Sequence, residues 1–265
     1  MTPHLRSFCR ACTVVLAATV AAFMSPARSA EVDAEADTAL ILAVDVSESV
    51  DAVRYRLQME GIAQALEDEG VINAIISGPK GGILLSMVTW ADKAGLSLPW
   101  QMVRSAEDAR RVAGAIREIP QQKGEYTCLS RMLAMVKESV VPSVPAGATR
   151  IVLDVSGDGI DNCQKPEVSA GERDELLAMG LAINGLPIIV KGENDVVGSG
   201  AYRAPGFDLS GEPLGPGGRY QTTLDAWYRN YVIGGPGAFL LAAHGFEDFG
   251  RAFRQKFVTE VSAAQ

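Results

Sequence analysis

Residues 39–49 read Ala39-Leu-Ile-Leu-Ala-Val-Asp-Val-Ser-Glu-Ser49, an apolar run that ends in three oxygen-bearing side chains at alternate positions. A short, continuous apolar run bounded by polar residues is typical of a strand buried on both faces, as at the centre of a parallel sheet. Asp45, Ser47 and Ser49 then lie at the carboxyl end of that strand. Ligands bind at this end in open α/β sheets, so the run predicts both a fold and the position of a site.

The three side chains offer one carboxylate and two hydroxyl groups within a tight strand-to-helix turn. Oxygen donors of this kind suit a hard divalent cation. Because two of the three donors are neutral, a bound cation would remain strongly electrophilic. The alternative is that Ser47 and Ser49 only cap the following helix.

The first 30 residues have the order of a secretory signal peptide. Arg6 and Arg10 precede an apolar stretch, Thr13–Met24, and small residues follow up to Ala30. The stretch is shorter than the roughly 20 residues that span a bilayer comfortably. We therefore expect cleavage near Ala30, no stable membrane insertion afterwards, and a periplasmic or secreted protein; an uncleaved anchor is the alternative.

Removal of residues 1–30 takes away three arginines and no acid, which leaves 21 basic against 32 acidic residues and a net charge near −11. Such a charge excludes nucleic acid as an expected partner. The remaining residues, 31–265, fit a single α/β domain with a substantial core.

Strand and helix patterns alternate along this domain. Gly82–Trp90 and Leu96–Trp100 are joined by a turn too short for a crossover helix, which predicts an antiparallel hairpin at one edge of the sheet. Helical spacing predicts helices over Asp51–Glu69 and about Leu129–Val140, and Ala238–Ala242 is predicted to complete the sheet. A phenylalanine stripe at helical spacing predicts core packing for a terminal helix: Phe246, Phe249, Phe253 and Phe257.

Two later segments carry further oxygen donors. Thr127 lies in a loop directly before the Leu129 helix, where it either caps that helix or supplies a fourth oxygen. A buried strand over residues 149–155 ends in Ser156-Gly-Asp-Gly159, whose glycines allow a sharp turn that places Asp158 at the same edge as Asp45. Nearby oxygens are interpreted as support behind the site or as solvated loop: Asp154, Asp161 and Asn162.

Cys128 and Cys163 are the two cysteines that remain after signal removal, and they are the candidates for a disulfide in an exported protein. They lie near the two later pieces of the proposed site. A bridge would staple those loops; the alternative is a pair of separate buried thiols.

Together these motifs resemble the metal-ion-dependent adhesion site of von Willebrand factor A domains. The matching pieces are D-x-S-x-S at the first strand, a threonine opening a later helix, and the aspartate of S-G-D-G. More narrowly, Asp154–Gly159, Ile183–Ile188 and Val232–Phe239 resemble an uncharacterised family of exported bacterial proteins with that fold.

The resemblance implies a Rossmann-like three-layer α/β domain, with a mostly parallel central sheet, one antiparallel edge strand and helices on both faces. It also implies Mg²⁺ or Mn²⁺, held directly or through water by five side chains: Asp45, Ser47, Ser49, Thr127 and Asp158. In such domains an acidic group of a protein or peptide partner completes the coordination. The metal is then a device for binding and not a catalyst.

A metal-assisted phosphoester hydrolase at the same sheet edge is the alternative function. Against it, the first strand offers two serines where a second acid would help to hold metal and to protonate a leaving group. His244 is the single histidine left after signal removal, which excludes a His-rich zinc site and leaves a Ser-His-Asp triad dependent on that residue. The chain also lacks the length for a two-lobed periplasmic receptor.

The segment 191–220 is rich in glycine and proline and longer than the family resemblance leads us to expect. Loops of this length in compact domains are usually functional or disordered. Because the segment follows a strand, we expect it to flank the metal edge and to contribute to ligand selection, in preference to an idle insertion.

Overall fold

The computed structural model describes residues 35–145, 147–198 and 221–262. The predicted signal peptide, residues 1–30, lies outside the described residues, as does the greater part of the predicted 191–220 loop. In the part of the chain that is described, no helix combines the length and the apolar character needed to cross a membrane.

A five-stranded sheet forms the centre of the domain, in the order β3-β2-β1-β4-β5. Its strands are β1 (Thr38–Asp45), β2 (Ile83–Trp90), β3 (Ala94–Val103), β4 (Ile151–Gly157) and β5 (Ala182–Pro187). β1 pairs in parallel with β2 and β4, β4 pairs in parallel with β5, and β3 is an antiparallel edge strand on β2. The predicted mostly parallel sheet with an antiparallel edge hairpin is confirmed.

The continuous apolar run of β1 reflects its central position. All eight of its residues are buried, and alternate side chains enter different cores. Leu40 and Leu42 belong to the cluster on one face of the sheet, whereas Ile41 and Ala43 belong to the cluster on the other. Each face therefore takes every second side chain, and because both faces are buried the run is apolar without alternation.

Helices cover both faces. The first face carries α1 (Ala52–Glu67), α2 (Glu69–Ile76), α3 (Ala106–Arg117) and α7 (Phe249–Ser262), and the second carries α4 (Leu129–Met135), α5 (Pro166–Ala178) and α6 (Leu224–Tyr231). β6 (Val196–Gly198) and β7 (Gln221–Thr223) form a separate two-stranded antiparallel sheet. The phenylalanine stripe packs in the first core, as predicted: Phe246, Phe249, Phe253 and Phe257.

Several elements differ from the sequence prediction. The helix predicted over 51–69 ends at Glu67, because the Asp68 carboxylate accepts hydrogen bonds from the backbone N–H groups of Gly70 and Val71 and so starts α2. The predicted 129–140 helix widens into a π-helical turn after Met135. The predicted strand over 238–242 makes only isolated bridges to the β5 region. α5 was not predicted, because it buries only three side chains and lacks a clear apolar stripe.

Candidate metal centre

The five predicted ligands meet at the carboxyl edge of the sheet. Asp45 is the last residue of β1, Ser47 and Ser49 lie in the turn before α1, Thr127 lies in the loop before α4, and Asp158 directly follows β4. All of them are buried except Ser49, which is exposed. Four of the donors are thus buried, and Ser49 brings the group to the solvent-exposed rim.

Hydrogen bonds connect these side chains across long sequence separations. Ser49 Oγ donates to Asp158 Oδ1 at 2.7 Å, and Thr127 Oγ1 donates to Ser47 Oγ at 3.1 Å. The two serine hydroxyls are 3.3 Å apart, and the backbone N–H of Ser47 donates to Asp45 Oδ1 at 2.8 Å. The structure therefore brings all five predicted residues together; their role as metal ligands stays a prediction.

Helix capping does not account for these hydroxyl groups. The cap of α1 is Asp51, whose carboxylate accepts hydrogen bonds from the N–H groups of Val53 and Arg54 at 2.8 Å. The N-cap position of α4 is Cys128 and not Thr127, and the N–H of Ser130 is satisfied by Asp161. The serines and the threonine are thus available to the site.

The ionised forms of the two carboxylates of the site are destabilised by burial. Asp45 is fully buried, and its Oδ2 atom has no hydrogen-bond partner among the described residues. Burial, followed by the negative charge of Asp158, raises the pKa of Asp45 to about 8. Burial also raises the pKa of Asp158. A buried anion of this kind is stabilised by a cation, and a divalent ion suits the hard oxygen donors around it.

Two glycines of the S-G-D-G motif make room for this arrangement. A Cβ atom on Gly157 would lie 2.9 Å from Asp45 Oδ2 and 2.9 Å from Tyr228 Oη, and one on Gly159 would lie 3.2 Å from Thr127 Oγ1. Neither glycine has a positive φ. The chain bends at residues 158–159 as predicted, and the absence of a side chain on Gly157 also lets Asp45 and Tyr228 approach the backbone closely.

Asp161 and Asn162 support the threonine loop from behind. Asn162 Oδ1 accepts the N–H of Thr127 at 2.8 Å, and Asp161 Oδ2 accepts the N–H of Ser130 at 2.7 Å. The interpretation of these residues as support is confirmed, and that of a solvated loop is wrong for the buried Asp161. Asp154 is different, because it lies inside the domain and pairs with Lys256.

Cys128 and Cys163 form a disulfide in the structure, with their Cα atoms 5.2 Å apart. The alternative of two separate thiols is therefore wrong. The bond joins the Thr127 loop to the loop that follows Asp158. Two of the three segments that supply ligands are thus covalently connected.

The first residues of the predicted 191–220 loop contact this edge. Asn194 Nδ2 donates to the carbonyl oxygens of Asp158, at 2.6 Å, and Ile188, at 2.8 Å. The expectation that the segment flanks the site holds for Glu193 and Asn194. On the other side, an open cleft of about 620 Å³ adjoins Ser47 between residues 46–52 and 121–125.

The donor set is rich in hydroxyl groups. No group of three or more His, Cys, Asp or Glu side chains is placed to hold a metal within the described ranges. Two carboxylates and three hydroxyl groups match a hard ion better than a site for softer metals. Sequence reasoning found this set through the spacing of its motifs; it missed Tyr228, whose buried hydroxyl faces the same gap over Gly157.

A family model described as a protein of unknown function, DUF1194, matches residues 35–265. No curated protein sequence matches the chain significantly.

Solved structures show the fold. Proximal thread matrix protein 1 from the mussel byssus, with a zinc-occupied MIDAS motif, has a TM-score of 0.55 and 16% identity, over 87% of this chain and 47% of that one. A von Willebrand factor type A protein from Catenulispora acidiphila has a TM-score of 0.50 and 12% identity, over 87% and 43%. The chain thus spans about half the length of these two proteins.

A third structure is matched over almost its whole length. The vWF domain of the type V pili tip protein Mfa5 from Porphyromonas gingivalis has a TM-score of 0.51 and 8% identity, over 86% of this chain and 96% of that domain. These likenesses establish the von Willebrand factor A fold for the present chain.

Proposed function

Because the chain belongs to the DUF1194 family and has the fold of von Willebrand factor A domains, we propose that it is an exported binding module built on a divalent cation. The cation is Mg²⁺ or Mn²⁺, and it is held by the five side chains at the carboxyl edge of the sheet: Asp45, Ser47, Ser49, Thr127 and Asp158. Its ligand is an acidic group of a protein or peptide partner.

The observation that carries this proposal is the unpaired oxygen of Asp45. Its Oδ2 atom is buried without a hydrogen-bond partner in the described chain, beside a second buried carboxylate, Asp158. An unsatisfied buried acceptor is costly, and natural proteins keep such groups where an ion or water completes them. A cation that binds here would stabilise both carboxylates at once.

The chain's own residues would do three things. The two carboxylates supply negative charge, and the three hydroxyl groups supply neutral donors that leave most of the cation's charge for a further anionic ligand. Asp161, Asn162 and the Cys128–Cys163 disulfide hold the loops in place. The bound cation would supply a Lewis-acidic contact for a partner carboxylate. We propose binding without turnover at this site.

Two comparisons support this choice. The mussel protein has a zinc-occupied site of the same type, and the bacterial domain belongs to a pilus tip protein. An adhesion-type function outside the cytoplasm fits both the predicted signal peptide and a disulfide, which persists in oxidising compartments.

The experiment is thermal unfolding of the exported protein in chelator and then in graded Mg²⁺, Mn²⁺, Ca²⁺ and Zn²⁺. An ion that binds only the folded state stabilises it by about 2.7 kcal/mol at a hundredfold excess over Kd. We expect this metal-dependent rise in stability in the wild type and its loss in Asp158→Asn. The control is Asp174→Asn, which changes an exposed aspartate on α5 and should leave the rise intact.

No rise with any ion in the wild type would contradict the metal site. Hydrolysis of a phosphoester that requires metal and disappears in Asp158→Asn would instead favour the hydrolase alternative.

A further inference from the structure

Arg54, in the first turn of α1, lies at the rim of the metal centre. Its Nη1 atom donates to the carbonyl oxygen of Ser49 at 3.0 Å, and its Nη2 atom donates to Glu193 Oε2 at 2.7 Å. The centre of the guanidinium group is 4.9 Å from the centroid of the Phe246 ring. These contacts fix the orientation of the Arg54 guanidinium group beside Ser49, which supplies one hydroxyl group of the site.

Glu193 comes from the opposite side of the edge, in the turn after β5. Asn194 fixes this turn: its Oδ1 accepts the N–H of Val190 at 2.7 Å, and its Nδ2 donates to Asp158 O at 2.6 Å. The Glu193 side chain is 54% exposed, whereas that of Arg54 is 26% exposed. A carboxylate is thus held over the rim by the segment that contacts Asp158, on the side open to solvent.

Both charges lie at the rim of the metal centre. Arg54 donates to the carbonyl oxygen of Ser49, and Glu193 precedes Asn194, which donates to the carbonyl oxygen of Asp158. The chain as a whole is acidic, with a net charge of −8 for all 265 residues. An acidic ligand is repelled by such a surface, so fixed positive charge beside the metal is needed to attract it.

We propose that Arg54 is a second anchor for the ligand: it binds one carboxylate of an acidic segment whose neighbouring carboxylate is held at the metal, and Glu193 occupies this anchor in the free protein. The inference rests on the proposed function and adds a requirement to it, because the ligand must present two acidic groups. Glu193 acts as an internal competitor that an incoming carboxylate replaces.

The chemistry of the pair supports this exchange. Arginine presents a planar fork that matches a carboxylate, and its contacts with Ser49 and Phe246 orient it before a ligand arrives. A partly exposed ion pair is weak, so replacing Glu193 by a ligand carboxylate costs little. Removing the competitor should therefore strengthen binding only modestly, by about two- to fivefold.

The test uses two acetylated and amidated Gly/Ser peptides, one with a single aspartate and one with two aspartates separated by two residues. Their dissociation constants are measured by fluorescence anisotropy in Mn²⁺ and in chelator. In Mn²⁺ we expect the wild type to prefer the two-aspartate peptide. Arg54→Gln should abolish that preference, and Glu193→Gln should tighten binding of the two-aspartate peptide alone.

A double variant of Arg54→Gln with Glu193→Gln should behave as Arg54→Gln does, because the competitor matters only while the anchor is present. The matched control is Arg251→Gln, which removes an arginine of α7 from its ion pair with Asp248, just before that helix, and should leave the preference unchanged.

Melting in Mn²⁺ alone separates this inference from the proposed function. Arg54→Gln should keep the metal-dependent rise, since Arg54 is not a metal ligand. If Mn²⁺ does not stabilise the wild type, the proposed function is wrong. Two results obtained with a metal-dependent rise in stability would overturn the second anchor. One is an unchanged peptide preference in Arg54→Gln, and the other is no peptide binding in either the wild type or Glu193→Gln.

Discussion

Two regions of this domain each bury a pair of carboxylates, and they balance the charge differently. Inside the domain, Lys256 on α7 lies 2.5 Å from Asp154 Oδ1 on β4 and also bonds Glu260. At the sheet edge, neither Asp45 nor Asp158 forms an ion pair with a Lys or Arg side chain of the described chain. The interior pair has a cation supplied by the chain, whereas the edge pair lies where a cation can enter from solvent.

The interior cluster has further contacts, although Asp154 Oδ2 and Glu260 Oε2 have no hydrogen-bond partner among the described residues. Asn184 Nδ2 donates to Glu260 Oε1 at 2.7 Å, and the Phe239 ring centroid lies 5.4 Å from Lys256 Nζ. Lys256 is fully buried, so its charge is unavailable to any ligand. This comparison teaches that buried acids alone do not mark a binding site; the source of the compensating charge distinguishes a structural cluster from a candidate metal centre.

The largest expected effect comes from breaking the interior cluster. Lys256→Met should lower the free energy of unfolding by about 3–5 kcal/mol, because it leaves two carboxylates buried without their cation. Denaturant unfolding in chelator measures this loss, which should be the same with Mn²⁺ present.

The control is a triple variant that also carries Asp154→Asn and Glu260→Gln and should recover much of the stability. A loss below about 1 kcal/mol in the single variant would contradict the assigned role of Lys256.

A substitution at the sheet edge should change the free energy of unfolding less, and in the opposite direction. In chelator at pH 8, Asp45→Asn should raise the free energy of unfolding by on the order of 1 kcal/mol, because the amide removes a buried charge that nothing else compensates. In saturating Mn²⁺ the order should reverse, since the variant lacks a ligand. Denaturant unfolding measures both effects, with Asp174→Asn as the exposed control. If Asp45→Asn destabilised the protein in chelator as Lys256→Met does, the comparison between the two regions would be wrong.

The pH dependence of stability has the same direction in the two regions without metal. Asp45 has a folded pKa of about 8 against an ordinary value of 3.8, so its contribution to stability is present below pH 3.8 and is lost as the pH rises through 8. Burial, then the charge of Asp154, raises the pKa of Glu260 to about 7 from 4.5, so its contribution is lost in the same direction, as the pH rises through 7.

Metal should remove only the edge contribution, because a bound carboxylate is ionised while Glu260 has no contact with the metal centre. Unfolding curves between pH 4 and 8, recorded with and without Mn²⁺, isolate that part. Identical pH profiles in the two conditions would contradict the metal assignment.

The candidate site was readable from sequence because its donors lie in short motifs at strand ends. D-x-S-x-S follows an apolar run, and S-G-D-G follows another, so the rule that parallel strands end at one edge is enough to bring Asp45 and Asp158 together. The interior cluster could not be predicted from the sequence. Lys256 and Glu260 stand four residues apart on an amphipathic helix, a spacing typical of a solvated pair, and Asp154 is about a hundred positions away.

Local structure shows the same division. Ser105 caps α3 by accepting the N–H of Asp108, an interaction that involves only neighbouring backbone groups. α5 escaped prediction because it lies against α4 and α6 with few apolar side chains, so its place depends on the elements around it.

The sequence by itself determined the central strand, the edge hairpin, the terminal phenylalanine stripe and the motifs that carry the five donors, because each follows from spacing within a few residues. Tertiary structure decided which charges are compensated from within, which cysteines are bonded, and that Glu193 reaches Arg54 across the metal edge. The physical reason is that burial and electrostatic pairing depend on distances in space, and residues separated by a hundred positions acquire those distances only when the chain has folded.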